Sequence, residues 1–127
     1  MAYNILIIDD STTARSVISK TLEMAGVPVG EVYFAENGIK ALQILKNEWV
    51  DLAFTDINMP EMSGMELVQT MSEDDELREI PIVVVSTEGS QTRIDELRSH
   101  GIRAYIRKPF TPEELKQVVD NLMEGEK

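Results

Sequence analysis

The strongest constraint on the fold is a fivefold alternation of short apolar runs with longer segments of helical period. The runs are Ile5–Ile8, Val32–Ala35, Leu52–Thr55, Ile80–Val85 and Ala104–Ile106. The first and fourth are nearly continuous in Ile, Leu and Val, the pattern of strands covered on both faces. Ala14, Val17, Ile18, Leu22 and Ala25 form one helical stripe, and Leu115, Val118, Val119 and Leu122 form another. Gly26 and Gly101 stand just past helical segments, where a left-handed cap residue is wanted. Ser63 with Glu66, and Thr111 with Glu114, have capping-box spacing. Pro112 falls at a first helical position, where its missing N–H costs nothing. Strands joined by helices must run parallel, so the class is α/β with helices on both faces of the sheet.

A chain of 127 residues suits one domain, spanning 1–127, and can bury a core without covalent staples. The absence of cysteine removes disulfides and thiolate metal sites. No apolar run approaches the roughly 20 residues that span a bilayer. The start, Met1 through Tyr3 into Ile5-Leu6-Ile7-Ile8, lacks the basic and small-residue features of a signal peptide. A cytoplasmic location is the default expectation. The net charge of −11 opposes binding to a phosphate backbone and suits a site that collects cations. The acidic run Glu73-Asp74-Asp75-Glu76 reads as a solvated helix end or loop.

The residues just past each strand carry the chemistry. Asp9-Asp10 come after the first, Asp56 after the third, Ser86 and Thr87 after the fourth, and Lys108-Pro109 after the fifth. In an open parallel sheet the carboxyl ends emerge on one edge, where ligands bind. A lone Asp after a strand is usually a turn residue, and a lone Lys is usually solvated. Three acids, a hydroxyl and an ammonium on one edge are harder to explain as independent turn residues. Two carboxylates about 4 Å apart repel by roughly 4 kcal/mol at an effective dielectric near 20. Such a cluster requires a cation or raised pKa values. A hard divalent ion with oxygen ligands satisfies it, and the cation with Lys108 would receive the oxygens of a phosphoryl group.

These residues resemble the receiver domains of bacterial two-component response regulators, most nearly the single-domain chemotaxis regulators. The motifs are Asp9-Asp10, Asp56-Ile57-Asn58-Met59-Pro60, Ser86 after an apolar strand, and Lys108-Pro109-Phe110. The resemblance implies a flavodoxin-like, doubly wound (βα)5 domain with strand order 2-1-3-4-5. It implies that Asp56 takes a phosphoryl group from a phosphohistidine on a sensor histidine kinase or phosphotransfer protein. Asp10, Asp56 and the backbone carbonyl of Asn58 would ligate Mg2+, with Asp9 acting through a water, and Mn2+ could substitute. Lys108 would pair with a phosphoryl oxygen. Ser86 would swing in to the phosphorylated form, and Tyr105 would turn inward with it. The alternative for Tyr105 is an edge-strand residue with a wet hydroxyl. Asn58 and Glu88, each two residues past a site residue, resemble the pairing of fast-resetting regulators. Ser86 stands where Thr is commoner, and Thr87 where a small residue is usual, so Thr87 is expected to crowd the pocket.

The implied switch changes the surface of roughly Ser90–Leu122. With no output domain attached, it would act on a separate protein, the chain itself being a monomer that binds neither nucleic acid nor membrane. Two other functions fit some residues. A phosphohydrolase with an aspartate nucleophile would place a second Asp two residues on, where Asn58 stands and cannot cycle a proton. A flavodoxin-like nucleotide-binding module could use Ser11-Thr12-Thr13, but Asp9 and Asp10 would repel a phosphate there. His100 beside Gly101 suits a helix end, Met59, Met62 and Met65 suit loop and core filling, and Trp49 is expected to pack at the end of the second helix.

Overall fold

A computed structural model describes residues 2–87 and 89–123 of the chain. The expected alternation is present. Strands β1 (Tyr3–Ile8), β2 (Val29–Ala35), β3 (Leu52–Thr55), β4 (Ile82–Ser86) and β5 (Ala104–Arg107) alternate with helices α1 (Thr12–Met24), α2 (Gly38–Asn47), α3 (Gly64–Ser72), α4 (Gln91–Ser99) and α5 (Pro112–Met123). All pairings are parallel and the order is β2-β1-β3-β4-β5.

The two-residue period of the pleat divides the core. Ile5 and Ile7 face one cluster, with Ile18 and Leu22 of α1 and Leu115 and Val119 of α5. Leu6 and Ile8 face the other, with Ala41 and Leu45 of α2, Leu67, Val68 and Met71 of α3, and Leu97 of α4. The three central strands are therefore covered on both faces, which is why they read as unbroken apolar runs. Complete burial of Phe54 and Leu52 contributes about 1.5–3 kcal/mol each.

The ends of the elements follow their caps. Gly26 and Gly101 have φ of 81° and 106°. Ser63 and Glu66 form a reciprocal capping box, as do Thr111 and Glu114. Several expectations need correction. β1 and β2 begin earlier than their apolar runs, because Tyr3 already pairs with Val29 despite the polar Asn4 and Glu31. β4 begins at Ile82, not Ile80, since Pro81 has no N–H to enter a ladder. Val17 is half exposed, and Thr21 takes the buried place on α1.

Trp49 does not pack at the end of α2. It is 76% exposed, because Glu48 leaves the helix in an extended conformation and carries the chain outward. Met59, Met62 and Met65 do fill space against the core, and His100 caps α4. In the β3–α3 loop, Glu61 has φ of 67°, a conformation that costs a non-glycine residue about 1–2 kcal/mol. Glu61→Gly is expected to stabilise the protein by about 0.5–1 kcal/mol after the added unfolded-state entropy, raising Tm by a few degrees in calorimetry.

Candidate functional site

Sheet hydrogen bonds place each strand-end residue. Asp9 N–H donates to the Ala35 carbonyl, Asp56 N–H to that of Ile8, and Lys108 N–H to that of Ser86. One oxygen each of Asp9, Asp10 and Asp56 can lie within 4.8 Å of the others. The three acids sit at graded depth: Asp9 buried, Asp56 intermediate and Asp10 exposed. An all-oxygen set of this size fits a hard divalent cation reached from the solvent side.

Asp9 is the most committed of the three. Its Oδ1 accepts from Ser11 N–H at 2.9 Å, and its Oδ2 lies 3.3 Å from Lys108 Nζ. The ammonium expected to meet a phosphoryl oxygen thus pairs with Asp9 in this structure. Asp56 Oδ1 accepts from Ile57 N–H at 2.7 Å. Burial raises the pKa of Asp56 above the usual carboxylate range, and the charge of Asp9 pushes the same way. The Ile57 N–H, the Lys108 charge and a hydrogen bond from Ser86 oppose the rise in part. Ser86 is itself buried and already engaged with Asp56.

β4–β5 register places Val84 opposite Tyr105 and Ser86 opposite Arg107, so these residues share one face of the sheet. Tyr105 packs on the α2–α3–α4 core, and its hydroxyl oxygen is shielded from water. The wet-hydroxyl alternative is not what the structure contains. Thr87 is solvent-exposed. Asn58 is exposed on the loop after Asp56. Glu88 lies outside the described residues.

Three contributors were not legible in the motifs. Arg15 Nη1 donates to the Asp9 carbonyl at 2.6 Å and its Nη2 to Thr12 Oγ1, bracing the Asp9-Asp10 turn from the first turn of α1. Gly64 N–H donates to the Ile57 carbonyl at 2.7 Å. A Cβ at Gly64 would overlap the Asp56 carbonyl oxygen. The guanidinium of Arg107 lies against Gly89, where a Cβ would stand 2.7 Å from Cζ. A glycine at the first position of a capped helix, with no turn to make, was the one available signal for Gly64.

Residues 5–120 match the response regulator receiver domain. The chain belongs to the receiver-domain family of response regulators. A chemotaxis protein CheY homolog of Campylobacter jejuni is 39% identical over 120 residues, covering 94% of this chain and 91% of that protein. Chemotaxis protein CheY1 of Helicobacter pylori is 38% identical over 117 residues, covering 91% and 93%. The solved structure of chemotaxis response regulator CheY4 of Vibrio cholerae superposes with a TM-score of 0.84 at 31% identity, covering 96% and 99%. This receiver domain therefore falls among signalling response regulators. Its acidic cluster can hold a metal ion, and among the described residues no helix is long and apolar enough to cross a membrane.

Lys108→Ala would leave the Asp9 carboxylate buried without its cation. Because Lys108 is 24% exposed, the cost is about 1–2 kcal/mol rather than that of a fully buried pair. Urea unfolding measures it.

Proposed function

We propose that this receiver domain is a stand-alone response regulator, acting as a cytoplasmic monomer, in which Asp56 is the phosphoacceptor. The observation that carries the reading is the cluster of three carboxylates with Lys108 beside Asp9 and Ser86 on Asp56. An oxygen of Asp56 attacks the phosphorus of a phosphohistidine on a sensor histidine kinase or phosphotransfer protein. The bond from phosphorus to the imidazole nitrogen breaks, and the imidazole leaves. Asp10, Asp56 and the Asn58 carbonyl would hold Mg2+ or Mn2+, with Asp9 acting through a water. When bound, the ion neutralises the carboxylates and the charge of the incoming oxygens. Lys108 then exchanges Asp9 for a phosphoryl oxygen, and Ser86 donates its hydroxyl to another.

Water attack on phosphorus later restores Asp56 and releases phosphate. Asn58 and Glu88, each two residues past a site residue in sequence, are the pair proposed to tune that attack, and their resemblance to fast-resetting regulators supports comparatively rapid resetting. Ser86 and Tyr105 couple the site to α4, β5 and α5, biasing a two-state equilibrium that a downstream protein reads on the Ser90–Leu122 face. The relatives carry the name of chemotaxis proteins, which makes chemotaxis the pathway to examine first. The excess of acids makes nucleic acid a poor direct partner, and no membrane insertion is required.

The test is incubation with Mg2+ and acetyl phosphate, followed by intact mass. Gain of one acid-labile phosphoryl group, prevented by a chelator, is the expected result. Absence of any gain would sink the proposal.

A further inference from the structure

The opposite edge of the sheet carries a second concavity, unconnected with phosphoryl chemistry. A cleft of about 670 Å3 opens between the α2–β3 and α3–β4 loops, at the amino ends of β3 and β4. Leu45, Val50, Leu77, Ile80 and Pro81 contribute its apolar lining. At its side stands Trp49, 76% exposed yet held in place. Its Nε1 donates to Asp51 Oδ1 at 2.9 Å. Asp51 Oδ2 accepts from Asn4 N–H at 2.8 Å, and Asn4 Nδ2 donates back to the Trp49 carbonyl at 3.2 Å. An exposed indole normally loses side-chain freedom when a partner covers it. Here much of that ordering is already present in the folded domain.

The charges around the cleft are one-sided. Glu48, Asp51, Asp74, Glu76 and Glu79 line it, and among the described residues Lys46 is the one cation in the lining. A fixed aromatic face beside an apolar floor and several carboxylates is complementary to a guanidinium on an apolar segment. The planar cation stacks on indole while its N–H groups reach carboxylates. A second copy of the chain is a poor occupant, since each copy brings a net charge of −11.

We propose that this cleft docks an arginine-bearing, partly apolar segment of a partner protein, with Trp49 as the anchor. Docking at the amino edge is separate from the phosphoacceptor at the carboxyl edge, so a partner could be held in both states of the switch. A tethered partner raises its effective concentration at the signalling face without any new contact there.

Trp49 is the chain's one tryptophan, so its fluorescence reports this cleft alone. A capped synthetic peptide containing Arg-Leu-Leu-Arg, titrated into the full chain, is expected to change that emission saturably below about 1 mM. The affinity should fall several-fold as salt is raised. With a dye-labelled peptide read by anisotropy, Trp49→Leu is expected to weaken binding about tenfold, and the pair Glu76→Gln with Glu79→Gln to weaken it several-fold. Asp56→Asn should leave it unchanged. Phosphoryl uptake by Trp49→Leu, equal to that of the parent, verifies the fold independently. The proposal is overturned by no saturation at about 1 mM peptide, by equal binding of a Glu-substituted peptide, by an unaffected Trp49→Leu, or by sedimentation showing a dimer that Trp49→Leu dissolves.

Discussion

Asp56→Asn is expected to abolish phosphoryl uptake from acetyl phosphate and, in metal-free buffer near neutral pH, to raise Tm. The first effect follows from removing the only proposed nucleophile: an amide oxygen keeps the shape and hydrogen bonds but lacks the charge. Intact mass should detect no modified species. The second follows from the position of the carboxylate. Burial and the neighbouring charge of Asp9 raise the pKa of Asp56, so its ionised form is less favourable in the folded protein than in the unfolded chain. Protonation therefore favours the fold. That advantage is complete below the unfolded value of 3.8 and is lost as pH rises through the higher folded value. Asn behaves as a permanently uncharged residue, so its gain is largest above the folded pKa and vanishes toward acid. For a site open to solvent on one side, the gain is on the order of 1 kcal/mol, or a few degrees in Tm. Adding Mg2+ should raise the Tm of the parent more than that of the variant, narrowing the difference. A variant no more stable than the parent at neutral pH would show that the cluster is not electrostatically strained. It would not by itself remove Asp56 as nucleophile, which the mass measurement decides.

Gly64→Ala should damage both stability and phosphoryl uptake although it touches no motif. The added Cβ would overlap the Asp56 carbonyl oxygen and stand 2.9 Å from Ile57 Cα and 3.1 Å from the Asp56 carbonyl carbon. All three are backbone atoms, so no flexible side chain can yield. Relief requires moving either α3 or the loop that carries Asp56, and the Gly64 N–H bond to the Ile57 carbonyl is strained in both cases. Overpacking of this kind costs about 2–3 kcal/mol, a fall in Tm of roughly 10 °C. Displacing Asp56, the proposed phosphoacceptor, by even about 1 Å can lower reaction rates on the order of 100-fold. Gly26→Ala separates the two effects. Its φ of 81° makes alanine unfavourable, but a Cβ there meets nothing within 4 Å. It should cost about 1 kcal/mol and leave phosphoryl uptake intact. Equal uptake by Gly64→Ala and the parent would remove the claim that close packing of α3 positions Asp56.

The strand-end residues were legible because a parallel sheet converts sequence order into spatial order. Once Ile5–Ile8, Leu52–Thr55 and the fourth and fifth runs are strands of one parallel sheet, Asp9, Asp10, Asp56, Ser86 and Lys108 must share an edge. The capping boxes at Ser63 and Thr111, and the left-handed Gly26 and Gly101, were equally local and equally readable. Residues whose role depends on a distant neighbour were not. Arg15 reaches the Asp9 carbonyl by helical geometry that any arginine could adopt without a motif to announce it. Gly64 is required by the nearness of Asp56, eight positions away but in contact through the turn. Trp49 was expected to pack at the end of the second helix, yet the extended Glu48 turned it outward and Asp51 fixed it there.

By itself, the sequence determined the alternation of elements, the parallel pairing of strands and the set of groups at the carboxyl edge. Those properties depend on side-chain periodicity, missing N–H groups and backbone preference, all of which act over a few residues. Tertiary structure alone decided the partners: Lys108 on Asp9, Ser86 on Asp56, Tyr105 turned onto the core, and the pinned indole beside an acidic cleft. Each depends on which surfaces meet across the sheet and on the burial that results. That meeting sets the dielectric around Asp56, and hence its pKa, in a way no local pattern records.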